Sequence, residues 1–251
     1  MSGRIHIGTS GWHYKHWRGR FYPAGVREAD MFRFYVQQFD TVEINNSFYR
    51  LPTPTALQNW RDAAPAKFYF AVKGSRYLTH MKKLKDPKPG LQKFLRRVEK
   101  LGRKLGPILF QLPPGWQCNF DRLASFLTAL PRKNCYAFEF RNSSWHNQAI
   151  YELLRRHNAA FCVYELAGFQ SPIEITADFA YIRLHGPLGA YQGKYTKQQL
   201  AGWAQKITQW QRHLKDIYAY FDNDQLGYAA SNALDLRKML SDPLPASFNR
   251  A

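Results

Sequence analysis

The chain has 251 residues, of which 45% are apolar, 22% charged and 16% aromatic. This length corresponds to one large domain or two small ones, and so ordinary an apolar fraction excludes an intrinsically disordered chain. No run reaches the about 18 uninterrupted apolar residues of a membrane span, and the first residues, MSGRIHIGTSGW, lack the apolar stretch of a signal peptide. We therefore expect a cytoplasmic protein without a membrane partner.

Short β-rich runs alternate with longer amphipathic stretches along the whole chain. In chain order, strands are predicted over residues 5–10, 41–45, 68–73, 107–112, 136–140, 160–165, 181–186 and 217–222. Helices are predicted over residues 29–39, 55–64, 91–105, 120–129, 148–157, 197–214 and 229–240. The segment 166–178 is too irregular for a full helix, and the proline- and lysine-rich segment 82–90 is expected to form a long surface loop.

Eight strands joined by crossovers of this length predict an α/β fold with a parallel sheet. The chain length is that of a closed (β/α)8 TIM-type barrel, with one irregular crossover after the sixth strand. We expect a single domain over 1–251 with its core at about 5–240. An open doubly wound sheet is the competing fold, but no GxGxxG loop follows the first strand.

Polar residues interrupt the apolar strands with a period of two. Glu43 lies between Val42 and Ile44, for example, and His6 lies between Ile5 and Ile7. Because alternate residues of a strand face opposite sides, the polar set is expected inside the barrel. The residues predicted at the interior mouth are Glu43, Lys73, Gln111, Glu139, Arg183, His185 and Asp222. Buried charges are costly unless they are paired, so these residues should form a compensated network where barrel enzymes carry their chemistry.

Several roles remain open for these side chains. The catalytic candidates are Glu43, Lys73, Glu139, Arg183, His185 and Asp222. The two glutamates could be an acid–base pair, as in glycoside hydrolysis, or part of a structural ion network with Lys73 and Arg183. Lys73 could be a base or a Schiff-base amine, or it could pair with Glu43 on the neighbouring strand. His185 could shuttle protons or serve as a hydrogen-bonded structural histidine.

A divalent metal is a weaker alternative for the same residues. Glu43, Glu139, His185 and Asp222 offer the mixed nitrogen and oxygen ligands that divalent cations accept. Lys73 and Arg183 would point at the same centre and repel a cation, and the chain has no HExxH motif. We therefore assign no cofactor and do not favour a metal.

The loops that follow the strands combine aromatic rings with amide and guanidinium groups. Such a combination suits a sugar or a nucleobase, although large amphipathic rings can also simply close the top of a barrel. The substrate-binding candidates are Trp12, Tyr14, Asn45, Tyr49, Arg76, Gln111, Arg141, Trp145 and Tyr191.

The ordered motifs GTSGWHYKHWRGRFYP, TVEINNSFYRLP, VKGSRYLTH, LFQLPP, FEFRNSSW, YIRLHG and YFDND resemble those of the YecE-like family, the domain of unknown function numbered seventy-two. The resemblance runs from about residue 5 to about residue 240. It implies a TIM barrel whose motifs line one face, and it implies no particular reaction. In YFDND this chain has Asp222 where we expect asparagine to be commoner in the family.

The formal net charge is +18, and much of the excess lies in one segment. Residues 73–104 contain twelve lysines and arginines against two acidic residues, so a polyanion or phosphate-bearing partner is expected, although the segment could be only a solvated helix face. The predicted nucleic-acid surface consists of Lys82, Lys83, Lys93, Arg96, Arg97 and Lys100. The leading hypothesis is a hydrolase-like enzyme acting on a phosphate-bearing substrate, nucleic acid included. The alternatives are a non-catalytic nucleic-acid-binding barrel and a sugar or sugar-phosphate enzyme.

Overall fold

The computed structural model describes residues 2–241, so Met1 and residues 242–251 of the predicted domain lie outside the described residues. The strands are β1 Arg4–Thr9, β2 Thr41–Ile44, β3 Tyr69–Lys73, β4 Leu105–Gln111, β5 Tyr136–Glu139, β6 Ala160–Leu166, β7 Phe169–Gln170, β8 Phe179–Leu184 and β9 Asp216–Phe221. The α-helices are α1 Glu28–Gln38, α2 Pro54–Ala63, α3 Pro87–Val98, α4 Phe120–Thr128, α5 Gln148–Arg156, α6 Lys197–Gln211 and α7 Tyr228–Ser241. Among residues 2–241, no helix has both the length and the apolarity to cross a membrane.

Eight parallel strands form the barrel, in the order β1-β9-β8-β6-β5-β4-β3-β2. The ring closes between β1 and β2, where Ser10 and Glu43 form a parallel bridge and the Gly11 N–H donates to the Glu43 carbonyl at 2.8 Å. Helices alternate with the strands around this ring. The predicted (β/α)8 TIM-type barrel is confirmed.

The crossover after β6 contains no helix, as the sequence indicates. β6 turns back into β7, a two-residue antiparallel strand, through Ala167 and Gly168, whose φ angles are 52° and 79°. Two consecutive residues in the left-handed region make the tight turn that joins paired antiparallel strands. The chain then reaches β8 through irregular structure.

The segment after β3 differs from the sequence prediction. The predicted loop 82–90 ends at Asp86, and Pro87 and Pro89 lie in the first turn of α3. Backbone N–H groups in the first turn of a helix have no partner within that helix, so proline loses nothing there. At the other end, Gly102 has φ 58° and interrupts the helical path, which is why the predicted helix 91–105 stops early.

Strand alternation separates two buried layers. Apolar side chains on the outer face of the strands pack against the helices, whereas the interior layer holds Ala71, Leu109, Ala137, Ala160, Cys162, Tyr164, Phe179, Tyr181, Tyr218 and Tyr220. Cys162 is the only cysteine that is fully buried, because Cys118 is half-buried and Cys135, just before β5, is exposed.

Candidate active site

The guanidinium group of Arg183, on β8, is the centre of the buried polar cluster at the carboxyl end of the barrel. Its Nη1 donates to Glu139 Oε2 at 2.8 Å, and its Nη2 donates to Glu43 Oε1 at 2.7 Å and to Asp222 Oδ2 at 3.1 Å. All four side chains are buried. One arginine thus holds carboxylates from three other parts of the barrel wall, and its positive charge offsets part of their negative charge.

Glu43 has a second set of partners that the sequence analysis did not identify. Its Oε1 accepts a hydrogen bond from the Ser10 hydroxyl, and its Oε2 accepts one from the Tyr181 hydroxyl at 2.7 Å. Tyr181 occupies the inward register position two residues before Arg183, so the same alternation that identified Arg183 also marks Tyr181. These contacts leave both carboxylate oxygens of Glu43 satisfied by buried groups.

Glu139 is held between two arginines. Arg183 donates to one of its oxygens, and the Arg141 Nε donates to the other. Burial alone would raise the pKa of this carboxyl group, but the charges of Arg141 and Arg183 outweigh it and hold the pKa well below its ordinary value. Glu139 is consequently ionised at neutral pH and does not have the properties of a general acid.

His185 has a hydrogen-bonding partner for each ring nitrogen. Its Nε2 lies 2.9 Å from Arg141 Nη2, and its Nδ1 lies 3.0 Å from Asp222 Oδ2. Since arginine can only donate, Nε2 must accept, and Nδ1 carries the proton that is donated to Asp222. Burial would raise the pKa of Asp222, but the hydrogen bond from His185 and the charge of Arg183 lower it.

Lys73, at the end of β3, is nine-tenths buried but has no polar partner. Its side chain is 7% exposed and makes no ion pair or hydrogen bond within residues 2–241; Nζ lies 4.6 Å from the centre of the Phe48 ring. The alternative in which Lys73 pairs with Glu43 is not realised, because Arg183 occupies that carboxylate. Burial, followed by the nearby charge of Arg183, lowers the pKa of Lys73.

Asn45 lies beside Lys73 at the end of the neighbouring strand. The register pairs Ile44 with Val72, so Asn45 and Lys73 occupy the next step of the two strands. The Asn45 Oδ1 atom is buried and has no hydrogen-bond partner among the described residues. Buried polar atoms without a partner are rare in folded proteins, and this one can accept a hydrogen bond from a ligand.

The rim of the mouth carries the exposed candidates. The Tyr49 side chain is 81% exposed, and that of Tyr191 is 45% exposed, with its ring 5.5 Å from the ring of His185. Arg76 is exposed on the loop after β3, and Gln111 is half-buried at the end of β4. Tyr14 is partly buried, and its hydroxyl donates to the Ser10 carbonyl at 2.6 Å.

Two predicted substrate-stacking residues are corrected. Trp12 is buried and packs against Phe32 and Trp60, with ring centres 5.2 Å and 4.9 Å away. Trp145 is fully buried against Phe140 and Trp116, and its indole N–H donates to the Trp116 carbonyl. Protein side chains already cover these two indole rings, so neither offers a free face to a substrate.

Asp224, the last residue of the YFDND motif, is a further titratable group in the loop after β9. The Trp17 indole N–H donates to its Oδ1 at 2.5 Å, and His16 Nε2 lies 3.1 Å from its Oδ2. Burial raises the pKa of Asp224 to about 6, despite the hydrogen bond from Trp17. Asp224 could have been identified from the sequence, because it is a second aspartate two residues after Asp222 in the same motif at the end of β9.

Glu43, Glu139, His185 and Asp222 converge on Arg183 and not on a common point between them. No group of three or more histidine, cysteine or acidic side chains within residues 2–241 is arranged to hold a metal ion. The cation that these four residues share is the guanidinium group.

The basic surface on α3 is smaller than predicted. Lys93, Arg96 and Lys100 are exposed and line a groove of about 340 Å³ beside Pro54, the first residue of α2. Lys83 is also exposed, whereas Lys82 lies 3.6 Å from Asp86. Arg97 is corrected to a structural residue, because it is half-buried and donates to the Pro52 carbonyl at 2.7 Å.

Comparisons with known proteins agree with the fold and the motifs. The model of the family described as "Protein of unknown function DUF72" matches residues 6–249. The chain is 26% identical to the UPF0759 protein YunF of Bacillus subtilis over 94% of both chains, and 23% identical to the UPF0759 protein YecE of Escherichia coli O157:H7 over 82% of both. A crystal structure of a DUF72 family protein from Thermotoga maritima superposes with a TM-score of 0.87 at 29% identity, covering 95% of this chain and 100% of that one.

Proposed function

We propose that this chain, which belongs to the DUF72 family, is an enzyme that uses general acid–base chemistry at the carboxyl-terminal mouth of its barrel. The substrate is a phosphate-bearing molecule, nucleic acid included, and the reaction is a hydrolysis or a related cleavage. The observation that carries the proposal is Lys73, a nine-tenths buried amine without a polar partner in the described chain.

A purely structural role does not account for this amine. Burying a charged group costs several kcal/mol unless it is paired, and barrel interiors are ordinarily filled with valine, isoleucine and leucine. The cluster around Arg183 meets this requirement through mutual pairing, but Lys73 lies beside it without sharing in it. A buried lysine that makes no ion pair in the described chain and has a lowered pKa is typical of a catalytic centre.

The pKa shifts of Lys73 and Asp224 indicate which group accepts a proton and which group donates one. Lys73, with its lowered pKa, is the group that accepts a proton, and Asp224, with a pKa of about 6, is the group that can donate one. Glu43 and Glu139 position Arg183 and do not themselves transfer protons. This assignment replaces the glutamate pair as acid and base.

The charge and the surface of the mouth favour an anionic substrate that carries a ring. Arg76 is exposed on the loop three residues after Lys73, and both cations can bind phosphate oxygens. Tyr49 and Tyr191 expose aromatic surface at the same rim. Phosphates therefore find positive charge near the proposed base, and a sugar or nucleobase finds a stacking surface.

The test is a comparison of two lysine substitutions in a hydrolysis assay. The substrates are p-nitrophenyl phosphate, bis(p-nitrophenyl) phosphate, glucose 6-phosphate and a labelled single-stranded oligonucleotide, each with and without magnesium. Lys73→Met should lower turnover of the cleaved substrate by roughly 10²–10⁴-fold, the usual contribution of a general base. The matched control Lys85→Met removes an exposed lysine from the same segment and should retain wild-type turnover. Equal turnover of the two variants would contradict the role of Lys73.

The groove on α3 supports a second candidate, a non-catalytic nucleic-acid-binding barrel. Lys93, Arg96 and Lys100 line one groove, so three phosphates could be bound there together. Replacing all three with glutamine should weaken oligonucleotide binding and reduce the slope of log K against log salt by about 2 to 3. Binding that is unchanged by this triple substitution but lost in Lys73→Met would favour the enzyme.

A further inference from the structure

We propose that the ε-amine of Lys73 forms an imine with an aldehyde or ketone group of the substrate. This inference rests on the proposed function, because it uses the same mouth and the same phosphate-bearing class of molecule. In this inference Lys73 acts as a nucleophile and not as the general base, and the substrate class narrows to phosphorylated carbonyl compounds.

The first argument is that the amine is free. Other lysines of the chain are engaged: Lys15, Lys133 and Lys215 form ion pairs with carboxylates, and Lys104 donates to two backbone carbonyls. Lys73 has only the face of the Phe48 ring, although it is more buried than the half-buried Lys104 and the three exposed lysines. Because this amine makes no hydrogen bond in the described chain, none has to be broken before it attacks a carbonyl carbon.

The second argument is electrostatic. Only the neutral amine has the lone pair that attacks a carbonyl carbon, so a lysine nucleophile needs an environment that disfavours the ammonium form. Burial and the positive charge of Arg183 provide that environment, and both lower the pKa of Lys73. Glu43, Asp222 and Glu139, which are bound to Arg183, act in the opposite direction and raise the pKa of Lys73, but the net shift is downward.

The step needs no other reactant. The nitrogen lone pair forms a bond to the carbonyl carbon, and the oxygen takes up a proton to give a carbinolamine. One nitrogen proton is lost as this carbinolamine forms. Its hydroxyl then takes up a proton and leaves as water while the nitrogen lone pair forms the carbon–nitrogen double bond, and loss of the remaining N–H proton gives the neutral imine. Overall, one amine and one carbonyl compound give one imine and one water molecule, with no oxidation or reduction.

Two neighbours of Lys73 complete the site. Asn45 lies at the adjacent strand end, and its Oδ1 atom is buried and has no partner in the described chain. His80 packs its ring 4.9 Å from Phe48, and burial together with the charges of Lys73 and Arg76 lowers the pKa of His80 to about 4. His80 is therefore neutral at pH 7 and adds no positive charge beside the amine.

The experiment uses pyridoxal phosphate as the probe, because it carries both an aldehyde and a phosphate. The full-length chain is incubated with one equivalent of the probe, reduced with borohydride and digested, and the adducts are mapped by mass spectrometry. We expect Lys73 to be modified at least about tenfold faster than the exposed Lys85, because only Lys73 combines a free amine with a lowered pKa. The principal adduct should disappear in Lys73→Met and persist in Lys85→Met.

A second probe separates the two proposals. Pyridoxal, which lacks the phosphate, should label Lys73 more slowly than pyridoxal phosphate if the mouth binds a phosphate group. An adduct spread evenly over the exposed lysines would overturn the imine. If the adduct were spread in this way but Lys73→Met still abolished hydrolysis, the proposed function would stand and only the imine would be rejected. Equal labelling of Lys73 by both probes would instead remove the phosphorylated substrate class from the inference.

Discussion

The barrel carries an ionic network at each end, buried at the carboxyl end and partly exposed at the amino end, and the two networks differ in how completely they are paired. At the amino end, His6 Nδ1 lies 2.8 Å from Asp40 Oδ2, and His6 Nε2 lies 3.2 Å from Asp216 Oδ1. Arg4 donates to both oxygens of Asp216, at 2.7 Å and 2.9 Å. Every cation of this network has a carboxylate partner.

At the carboxyl end the pairing is incomplete, and even the buried Nε of Arg183 has no hydrogen-bond partner among the described residues. Arg183 is surrounded by three carboxylates, yet Lys73 beside it has no polar partner, and Asn45 Oδ1 is likewise unpartnered among the described residues. A network that serves only stability has no use for such groups. We infer that the amino end stabilises the barrel and that the carboxyl end positions groups for a ligand.

The largest expected effect is the loss of Arg183. Arg183→Met leaves Glu43, Glu139 and Asp222 without their shared cation, so the free energy of unfolding should fall by about 3–5 kcal/mol in urea denaturation. Arg4→Met at the amino end should cost less than about 1 kcal/mol, because the Arg4 side chain is 62% exposed. Similar losses of unfolding free energy in the two variants would show that the two ends of the barrel do not differ in this respect.

If Arg183→Met does not fold, Ser10→Ala provides a milder change in the same cluster. It removes one hydrogen bond to the buried Glu43 carboxylate and should cost about 1–3 kcal/mol.

A smaller effect is expected when a hydrogen-bonded lysine, Lys104, and the unpaired Lys73 are each replaced and the changes in the free energy of unfolding are compared. Lys104 Nζ donates to the Arg61 and Ala64 carbonyls, so Lys104→Met should lower the free energy of unfolding by about 1.5–3 kcal/mol. Lys73→Met replaces a buried amine without a polar partner by an apolar side chain of similar length, and it should change stability by less than about 1 kcal/mol or increase it. A loss at Lys73 as large as that at Lys104 would mean that Lys73 is structural.

The smallest expected effect is a difference in pH dependence. Burial alone would lower the pKa of His6, but hydrogen bonds to Asp216 and Asp40 raise it above its ordinary value. The stability that His6 contributes is therefore complete below about pH 6.5, its unfolded pKa, and is lost as the pH rises through the folded value. In His6→Ala, this decline in unfolding free energy above neutral pH should disappear.

The carboxylates of the mouth act in the opposite direction. The pKa values of Glu139 and Asp222 are lowered, so their contribution is present above about pH 4 and is lost as the pH falls through the folded values. Glu139→Gln should reduce the acid-side loss of stability and leave the alkaline side unchanged. Loss of the alkaline-side decline in Glu139→Gln would show that the two ends are coupled.

The sequence predicted the barrel and its inward-facing residues because strand alternation is a local property. Glu43, Glu139 and Arg183 each lie between apolar neighbours, and the structure brings them together in the interior. The boundaries of α3 were missed because Pro87 and Pro89 suggest a loop, although both residues fit the first turn of a helix.

The partners of each side chain could not be read from the same pattern. Glu43 lies on a strand next to that of Lys73, but the forked guanidinium of Arg183 reaches across the barrel and occupies its carboxylate. The orientations of Trp12 and Trp145 depend on partners that the local pattern does not reveal. Trp12 packs against Trp60 of α2, and Trp145 packs against Phe140 and against Trp116 in the loop after β4.

The central claim, that the mouth holds a free amine prepared for chemistry, is tested most directly by measuring the pKa of Lys73. Protein with carbon-13 in its lysine side chains would be titrated by NMR, and the Lys73 signal would be assigned by its absence in Lys73→Arg. We predict that this Cε resonance titrates at a lower pH than those of the exposed lysines. Titration of Lys73 together with the others, near the ordinary lysine value of about 10.4, would contradict the account.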